Sequence, residues 1–454
     1  MSSPTTLLAD YIFRSAESFF KKEASSSVLL LLASMAAVFL ANSSFATTYH
    51  NFLHTEVALG LGQYQISKSL LHWINDGLMT FFIFIVGLEI KREILVGELS
   101  TPKNALLPVI AALGGMLFPG VIYFALNRGT PTAGGWGIPM ATDIAFALGA
   151  IAVFGRRLPV GLRVFLSAFA IADDLGAVVI IAVFYTKKIV WSYLMICIFF
   201  VGGLIAANLL WIRWTLIYTL LGLGIWLAVL NSGVHPTVAG FVVAMFIPAR
   251  GMYDTDKFVR KVKEIMDEFK CEEQSCGYSI LLDRGHLNAV HALEIACHEV
   301  ETPLQRLEHS LHPWIAFVLL PLFAFANAGL SLKGVDLMSI VHQPLTLGVS
   351  LGLLLGKPIG IVLFSLLAVK TGMAVLPAEV GWSHIIGAGM LGGIGFTMSL
   401  FVSGLSFVSP ELLNSAKLGI LSGSILAAGA GLGFLAYKCV FLGKAEESVA
   451  VRGK

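Results

Sequence analysis

The sequence predicts an all-α protein that crosses a membrane many times. Of its 454 residues, 57% are hydrophobic and only 13% are charged, and the mean hydropathy is +0.83. Soluble domains carry about 25% charged residues, so a soluble chain of this length would lack the charged surface that keeps several domains dissolved. The composition excludes soluble globular, disordered and disulfide-stabilised classes. The net charge of +2 gives no basic excess that would indicate nucleic acid as a partner.

Twelve stretches are long and apolar enough to span a bilayer, which takes about 20 residues at 1.5 Å per residue. The first follows Arg14, Lys21 and Lys22, and no small-residue cleavage site stands out behind it, so we expect a retained span rather than a signal peptide. An even number of spans places both termini on the same side. The stretches lie at roughly 23–42, 69–90, 105–126, 134–154, 160–184, 190–211, 214–230, 233–248, 314–330, 345–369, 384–407 and 416–442.

The basic residues of the loops predict which side that is. Lys and Arg are in excess on the side of the N-terminus, even when the long loop 249–313 is discounted. Because short cytoplasmic loops carry such an excess, we expect both termini to be cytoplasmic. The predicted organisation is therefore spans one to eight within 1–248, a cytoplasmic loop at 249–313, spans nine to twelve within 314–442 and a cytoplasmic tail at 443–454.

The long cytoplasmic loop is predicted to contain two amphipathic helices, because residues 254–270 and 287–309 place apolar side chains at helical spacing. A solvated helical hairpin is the favoured interpretation. Zinc binding is the alternative, although the spacing matches no common structural zinc site. The residues that could bind zinc are Cys271, Cys276, His286, His291, Cys297 and His298.

A short β-hairpin is predicted between the first two spans. Residues 55–67 alternate partly between apolar and polar side chains and contain a turn signal at Gly60–Gly62. The predicted orientation places this hairpin on the outer surface.

Four ionisable residues lie inside predicted spans, namely Asp143, Asp173, Asp174 and Lys357. Each costs about 2.5–3.5 kcal/mol at the centre of a span. Together they cost about 10 kcal/mol, which is comparable to the stability of a whole domain. A single Asp–Lys pair could serve only to fix helix register or to neutralise helix ends. Two adjacent carboxylates repel each other at low dielectric, so Asp173 and Asp174 indicate a function.

Adjacent helical positions point about 100° apart, so Asp173 and Asp174 are expected to flank a small volume between helices. Two carboxylates, completed by hydroxyl, carbonyl or water oxygens, suit a hard cation such as Na⁺. They also suit protons, because burial and mutual repulsion favour the protonated acids. The pair can therefore bind either ion in competition, and this competition is what exchange requires.

Two predicted spans are interrupted by Gly or Pro, and both then contain Thr-x-x-x-Phe. Broken helices at matching positions in two halves are typical of transporters with a site at the midplane, although Gly-rich apolar stretches also arise from plain helix packing. Half-helix ends carry partial charges of about ±0.5, so we expect Asp143 to face positive ends and Lys357 to face negative ends. The interrupted stretches are 134–146 and 387–401, and each is the middle member of a three-span group, at about 105–184 and 345–442.

Eight motifs, in a fixed order along the chain, make it resemble a known protein family. GLEIKRE, ATDIAFALG, AIADDLGA, GVHPTVAG, LEHSLHPW, LFAFANAG, LGKPIGI and GIGFTMSLF occur in this order, and the chain resembles the bacterial NhaA-type sodium/proton antiporters over all but about 250–300. The resemblance implies twelve helices with inverted-topology repeats and two broken, crossed helices, unwound around Thr142 and Gly393–Gly395. It implies a multi-pass protein of the bacterial inner membrane that forms a homodimer through the 55–67 hairpin. Among its expected partners are membrane lipid and the transported ions, and the resemblance implies neither a cofactor nor enzyme activity.

The same resemblance implies the function and the residues that perform it. The function is electrogenic, pH-regulated export of Na⁺ in exchange for a larger number of protons, and Li⁺ is expected as a second small, hard cation. Asp173 and Asp174 would bind the ion and the protons, Thr142 and Asp143 belong to the crossing, and Lys357 compensates charge or pairs with Asp173. The residues implied in pH sensing are Glu89, Arg92, Glu93, His235, Glu308, His309 and His312, which could otherwise be ordinary solvated or structural positions.

The chain departs from the family pattern at two places. Pro236 follows His235 where the family often has Ala, and the loop before the ninth span is far longer. Two other function classes also use buried charges, namely intramembrane aspartyl proteases and symporters or channels for another solute. The Gly-x-Gly-Asp pattern of the proteases is absent from the sequence. A channel would conduct Na⁺ without moving protons, so transport assays separate it from an exchanger.

Overall fold

The computed structural model describes residues 25–61, 64–186, 189–249, 255–268, 284–332 and 337–438. Most of these residues are helical. The helices are α1 (Ser25–Asn42), α2 (Ala46–His54), α3 (Met79–Val96), α4 (Pro102–Asn127), α5 (Ile144–Ala152), α6 (Val160–Phe184), α7 (Trp191–Leu209), α8 (Thr215–Ser232), α9 (Thr237–Phe246), α10 (Thr255–Glu268), α11 (Arg284–Val300), α12 (Pro303–Asn327), α13 (Leu337–Val341), α14 (Pro344–Lys370), α15 (Trp382–Gly392), α16 (Phe396–Ser406) and α17 (Pro410–Tyr437).

Shorter helical turns accompany these helices. A turn at Leu70–His72 and a π-helical turn at Trp73–Leu78 lead into α3, and π-helical turns also lie within α12 at Ile315–Leu319 and within α14 at Gly352–Gly356. The 3₁₀ turns are Glu98–Ser100, Ala133–Met140 and Gly155–Arg157.

The described helices fit the predicted membrane spans. Nine helical segments in this part of the chain are long and apolar enough to cross a membrane, and the pair α15–α16, bent by 44° at its break, adds a tenth. The other two predicted spans are helical as well. Helix α9 is short, and α3 carries the charged residues Glu89, Lys91, Arg92 and Glu93. The protein is therefore an all-α, multi-pass membrane protein, as predicted.

A β-hairpin joins α2 to the turns that precede α3. Strands β1 (Glu56–Leu61) and β2 (Tyr64–Ser69) pair antiparallel, with Glu56 opposite Ser69. The hairpin is confirmed, and β1 continues through the Gly60 at which the sequence predicts the turn to begin. Trp73 Nε1 donates a hydrogen bond to Val57 O at 2.9 Å, which fastens the hairpin to the helical chain that follows.

The polar loop contains two helices, but the second differs from its prediction. A single helix over 287–309 is wrong, because α11 ends at Val300 and α12 begins at Pro303. Thr302 caps α12: its hydroxyl accepts from Gln305 N at 3.1 Å, and Gln305 Oε1 accepts from Thr302 N at 3.3 Å. Proline fits the next position, where a missing N–H costs nothing. The ninth span therefore starts earlier than predicted.

Helices α10 and α11 pack against each other through a small apolar cluster. Ile265 of α10 and Ala289 and Ala296 of α11 are its buried members, and Phe258 packs on them. The candidate zinc ligands Cys271 and Cys276 lie outside the described residues. In the described ranges, no group of three or more His, Cys, Asp or Glu residues could hold a metal ion.

Helices α4 and α14, one from each three-span group, approach each other through their backbones at one pair of glycines. A Cβ on Gly114 of α4 would collide with Gly360 O of α14, and a Cβ on Gly360 would collide with Gly114 O. Because real atoms cannot approach so closely, glycine is required at both positions. The two groups are thus joined by direct backbone contact near the centre of the protein.

Candidate functional site

Two interrupted spans meet inside the protein. In the first, non-helical residues 141–143 separate the 3₁₀ turn Ala133–Met140 from α5, and in the second, Gly393–Gly395 separate α15 from α16. Asp143 N donates to Ile394 O at 2.6 Å. Backbone groups that the breaks remove from their helices therefore satisfy one another, which is the condition for irregular backbone at membrane depth. The crossing lies where the sequence analysis expects it.

Asp143 lies at the crossing with both carboxylate oxygens engaged. Its Oδ2 accepts from Thr397 N at 2.9 Å and from Thr397 Oγ1 at 2.6 Å, and its Oδ1 accepts from Phe146 N at 3.2 Å. Thr397 and Phe146 belong to the first turns of α16 and α5. Asp143 therefore faces the N-termini of two helices, where the helix dipole is positive, as the sequence predicts.

Lys357 lies on the other side of the crossing and is completely buried. Its Nζ donates to Asp173 Oδ2 at 2.6 Å and also to Thr142 Oγ1. Thr142 Oγ1 in turn donates to Gly392 O, the last residue of α15, at 3.0 Å. Lys357 is thus connected through Thr142 to the C-terminal, negative end of α15, the kind of helix end that it is expected to face. The ammonium also lies 5.7 Å from the centre of the Phe169 ring, within range of a cation–π contact.

The local sequence explains how α14 presents this lysine. Pro358 follows it and has no N–H to donate, and the turn before it, Gly352–Gly356, is π-helical. Both features loosen the hydrogen-bond ladder of α14 at this point. A Cβ on Gly356 would lie 2.8 Å from Pro119 Cα of α4. The backbone of α14 is therefore pressed against α4 at the level of the site.

Asp173 and Asp174 project from the middle of α6 and are 1% and 2% exposed. Asp173 Oδ2 is paired with Lys357, but Asp173 Oδ1 and Asp174 Oδ2 have no hydrogen-bond partner among the described residues. A buried carboxylate oxygen without a partner is costly. These two oxygens are therefore the atoms in this region whose chemistry best fits a hard cation or a proton.

A cavity of about 180 Å³ leads to Asp174 and Asp143. Its lining residues come from α1, α3, α5, α6, α12 and α16 and from the break before α5, whereas Asp173 and Lys357 lie outside its lining. The volume accommodates several water molecules, since each occupies about 30 Å³ in the liquid. Its polar lining residues are Ser26, Glu89, Arg92, Thr142, Asp143, Ser167, Asp174, Glu308, His312 and Thr397.

Four of the residues predicted to sense pH line the same cavity, namely Glu89, Arg92, Glu308 and His312. Arg92 Nε lies 3.4 Å from Glu308 Oε1, which links α3 to α12, and Arg92 Nη2 lies 3.0 Å from Glu93 Oε1. The Arg92 side chain is 40% exposed. The predicted sensor residues are thus placed between solvent and the buried carboxylates.

The other predicted sensor residues lie outside this lining. Glu93 does not line the cavity but is paired with Arg92, and His309 is exposed on α12. His235 precedes α9, where its Nδ1 lies 2.8 Å from Thr237 Oγ1 and its ring packs edge-to-face on Phe401 at 5.5 Å. The structure therefore separates His235 from the cluster around Arg92.

Thr397 is a site residue that the sequence patterns did not single out. It is 2% exposed, lines the cavity and donates twice to Asp143, which lies 254 positions earlier in the chain. The available signal was the shared Thr-x-x-x-Phe pattern, which places Thr397 at the position equivalent to Thr142. A pattern match does not show which atom the hydroxyl contacts, so its role becomes visible only in the folded chain.

Known proteins resemble this chain over nearly its whole length. The profile of a family described as Na⁺/H⁺ antiporter 1 matches residues 17–435. A protein of Oleidesulfovibrio alaskensis named Na(+)/H(+) antiporter NhaA is 45% identical over 438 residues, which cover 96% of each chain. One of Saccharophagus degradans, named Na(+)/H(+) antiporter NhaA 1, is 48% identical over 418 residues, covering 91% of this chain and 89% of the relative. The chain therefore belongs to the Na⁺/H⁺ antiporter 1 family.

Proposed function

We propose that this protein is a secondary antiporter of the bacterial inner membrane that exports Na⁺ or Li⁺ in exchange for inward-moving protons. Family membership supports sodium/proton exchange, and the relatives named above carry that activity in their names. The observation on which the proposal rests is the pair of buried oxygens, Asp173 Oδ1 and Asp174 Oδ2, that lack a partner among the described residues. Asp174 lines a cavity that also contains the half-exposed Arg92.

The proposed reaction is a competition for these carboxylates. Na⁺ binds when Asp173 and Asp174 are ionised, and protonation of the pair releases it, because the same carboxylates cannot hold the sodium ion and the protons at the same time. Na⁺ at Asp173 also competes with Lys357, whose Nζ is bonded to Asp173 Oδ2. A lysine that loses its buried counter-charge can release its own proton. More than one proton then moves per sodium ion, which makes the exchange electrogenic.

Alternating access would bring the site to each side of the membrane in turn. The cavity is lined by α1, α3 and α12 and by the helices that carry the carboxylates. Its lining residues Glu89, Arg92 and Glu308 lie near loops that the distribution of basic residues assigns to the cytoplasm. We infer that the described arrangement is the state that takes up Na⁺ from the cytoplasm. Rocking of the carboxylate-bearing helices would then expose the ion to the periplasm.

Regulation and assembly complete the proposal. The cluster of Glu89, Arg92, Glu308 and His312 at the cavity is the proposed pH sensor, because protonation there changes the charge through which Na⁺ must pass. The outer β-hairpin is the proposed contact of a homodimer, since each strand of a two-stranded sheet leaves an edge that a second copy can pair with. Both termini are proposed to be cytoplasmic.

The test is proton movement driven by Na⁺ in everted membrane vesicles that report their internal pH with a dye. We expect wild-type protein to respond to NaCl and to LiCl, with activity that depends on pH between about 6.5 and 8.5. Asp173→Asn and Asp174→Asn should both abolish the response, because a neutral amide cannot exchange a proton for a cation. The matched control is Asp256→Asn on the exposed surface of α10, with protein levels measured for every variant.

A normal response in either α6 variant would remove the assignment of these carboxylates. Sodium uptake by the wild type with no movement of protons would instead indicate a channel and would remove the proposed exchange.

A further inference from the structure

Thr397 makes an unusual contact, because it gives both of its donors to a single atom. Its N–H lies 2.9 Å and its hydroxyl 2.6 Å from Asp143 Oδ2, and all of these groups are buried. The N–H belongs to the free N-terminus of α16 and would point at Asp143 whatever the side chain. Of the two donors, the hydroxyl is the one that depends on which side chain stands at position 397.

Thr142 and Thr397, the threonines of the two repeated motifs, have opposite electrostatic roles. Thr142 Oγ1 accepts from the ammonium of Lys357 and donates to Gly392 O at the end of a helix. Thr397 Oγ1 donates to the carboxylate of Asp143 at the start of two helices. The Thr142 hydroxyl thus connects a buried cation to a negative helix end, whereas the Thr397 hydroxyl adds a donor to a buried anion at positive helix ends.

The hydroxyl adds a second donor to Asp143 Oδ2, and Asp143 lines the same cavity as Asp174. Asp143, Asp174 and Thr397 all line it, yet Asp143 has a donor on each oxygen while Asp174 Oδ2 has none in the described part of the chain. Because a carboxylate already bonded to protein donors is a poorer ligand, the ion is directed to α6.

We propose that Thr397 is a positioning residue of the exchange, whose hydroxyl holds Asp143 bonded to the start of α16 and so leaves Asp173 and Asp174 as the carboxylates that bind the exchanged ions. The inference rests on the proposed antiport function and deepens it.

The charges around the cavity give the direction of the effect. The hydroxyl turns its positive end toward Asp143, so its loss makes the cavity that Asp143 shares with Asp174 more negative. A more negative site retains protons to higher pH. The titratable groups that line the cavity or lie behind its wall are Asp143, Asp173 and Asp174, Lys357 of α14, Glu89 and Arg92 of α3, and Glu308 and His312 of α12.

The test compares Thr397→Val, which keeps the shape and removes the hydroxyl, with Thr397→Ser, which keeps the hydroxyl. In everted vesicles, Thr397→Val should move the pH of half-maximal exchange to higher values by about half a unit, which is a threefold change in proton concentration. The KM for Na⁺ should rise below that pH, because protons compete better, while Vmax at alkaline pH stays close to that of the wild type. Thr397→Ser should behave like the wild type in both measurements.

Thr346→Val is the matched control, because Thr346 is equally buried on α14 but donates to a backbone oxygen, Ser415 O, at 3.1 Å and lies outside the cavity lining. If Thr397 had only a structural role, Thr397→Val would lower the protein level and Vmax without moving the pH profile. Thr346→Val can have the same effect. If Thr397→Val does not accumulate, Thr397→Cys, with a weaker donor, should show a smaller alkaline shift.

The proposal is overturned if Thr397→Val has the wild-type pH profile and KM, or if Thr397→Ser shifts as far as Thr397→Val. Absence of Na⁺-driven proton movement in the wild type would instead contradict the antiport function itself. The two failures are therefore distinguishable within one experiment.

Discussion

The crossing of the interrupted spans and the carboxylate pair on α6 are buried to the same degree but differ in their hydrogen bonds. Asp143 at the crossing and Asp174 on α6 are each 2% exposed. The crossing supplies donors for both oxygens of Asp143, whereas Asp174 Oδ2 has no partner in the described part of the chain. Burial alone therefore does not separate a structural charge from an ion ligand. The difference lies in whether protein donors already occupy the carboxylate.

The largest expected effect is on the stability of the folded protein, which should respond differently to substitutions in the two regions. Asp143→Asn replaces an anion that caps two helices and should destabilise the protein by about 3 kcal/mol or more, since hydrogen bonds to charged groups contribute about 1.5–3 kcal/mol each. Asp174→Asn makes the same chemical change but removes repulsion from Asp173, and its unfolding temperature should stay equal to that of the wild type or rise. Thermal unfolding of the purified proteins in detergent measures both.

Equal losses of stability in Asp143→Asn and Asp174→Asn would contradict the distinction between the two regions. Wild-type stability for Asp143→Asn would show that the helix ends at the crossing do not need this charge.

A smaller effect on stability is expected at Lys357, which links the two regions because it contacts Thr142 at the crossing and Asp173 on α6. Lys357→Met leaves Asp173 without its counter-charge, and Asp173→Asn leaves the lysine buried alone, so each should destabilise the folded protein. The double variant should recover part of the loss. We expect a coupling energy of about 1–3 kcal/mol from the double-mutant cycle, measured by thermal unfolding. Strict additivity would mean that the 2.6 Å contact between Lys357 Nζ and Asp173 Oδ2 contributes little.

The smallest effect is expected outside both regions, in the helical hairpin of the long loop. Its apolar cluster, centred on Ile265, Ala289 and Ala296, is separate from the cores formed by the spans. Deleting residues 254–300 should leave Na⁺-driven proton movement within about twofold of the wild type, because no buried contact of the site is lost. Vesicle assays across the same pH range check this. A large change in the pH profile would assign the hairpin a regulatory function.

Much of the fold follows from the sequence because the bilayer imposes simple rules. Span lengths follow from the rise of a helix, and the interrupted spans at 134–146 and 387–401 stand out by their Gly and Pro residues. Asp143, Asp173, Asp174 and Lys357 stand out because charge is rare at membrane depth. These features are local in the chain, so they can be identified without coordinates.

Other features depend on contacts between distant residues or on competing local signals. Patterns did not reveal that Thr397 bonds to Asp143, or that Lys357 is connected to a helix end through Thr142. The break between α11 and α12 was missed because helical periodicity at 287–309 outweighed the cap at Thr302 and the proline after it. Periodicity reports which face is apolar, whereas a cap decides where a helix begins.

The contact between Gly114 and Gly360 constrains how any ion could be carried. If either helix shifted along the other, each carbonyl there would strike the next side chain of the partner helix, so we expect α4 and α14 to move together. Helix α14 carries Lys357 of the site. If access alternates as proposed above, Lys357 and α4 would therefore move as one unit.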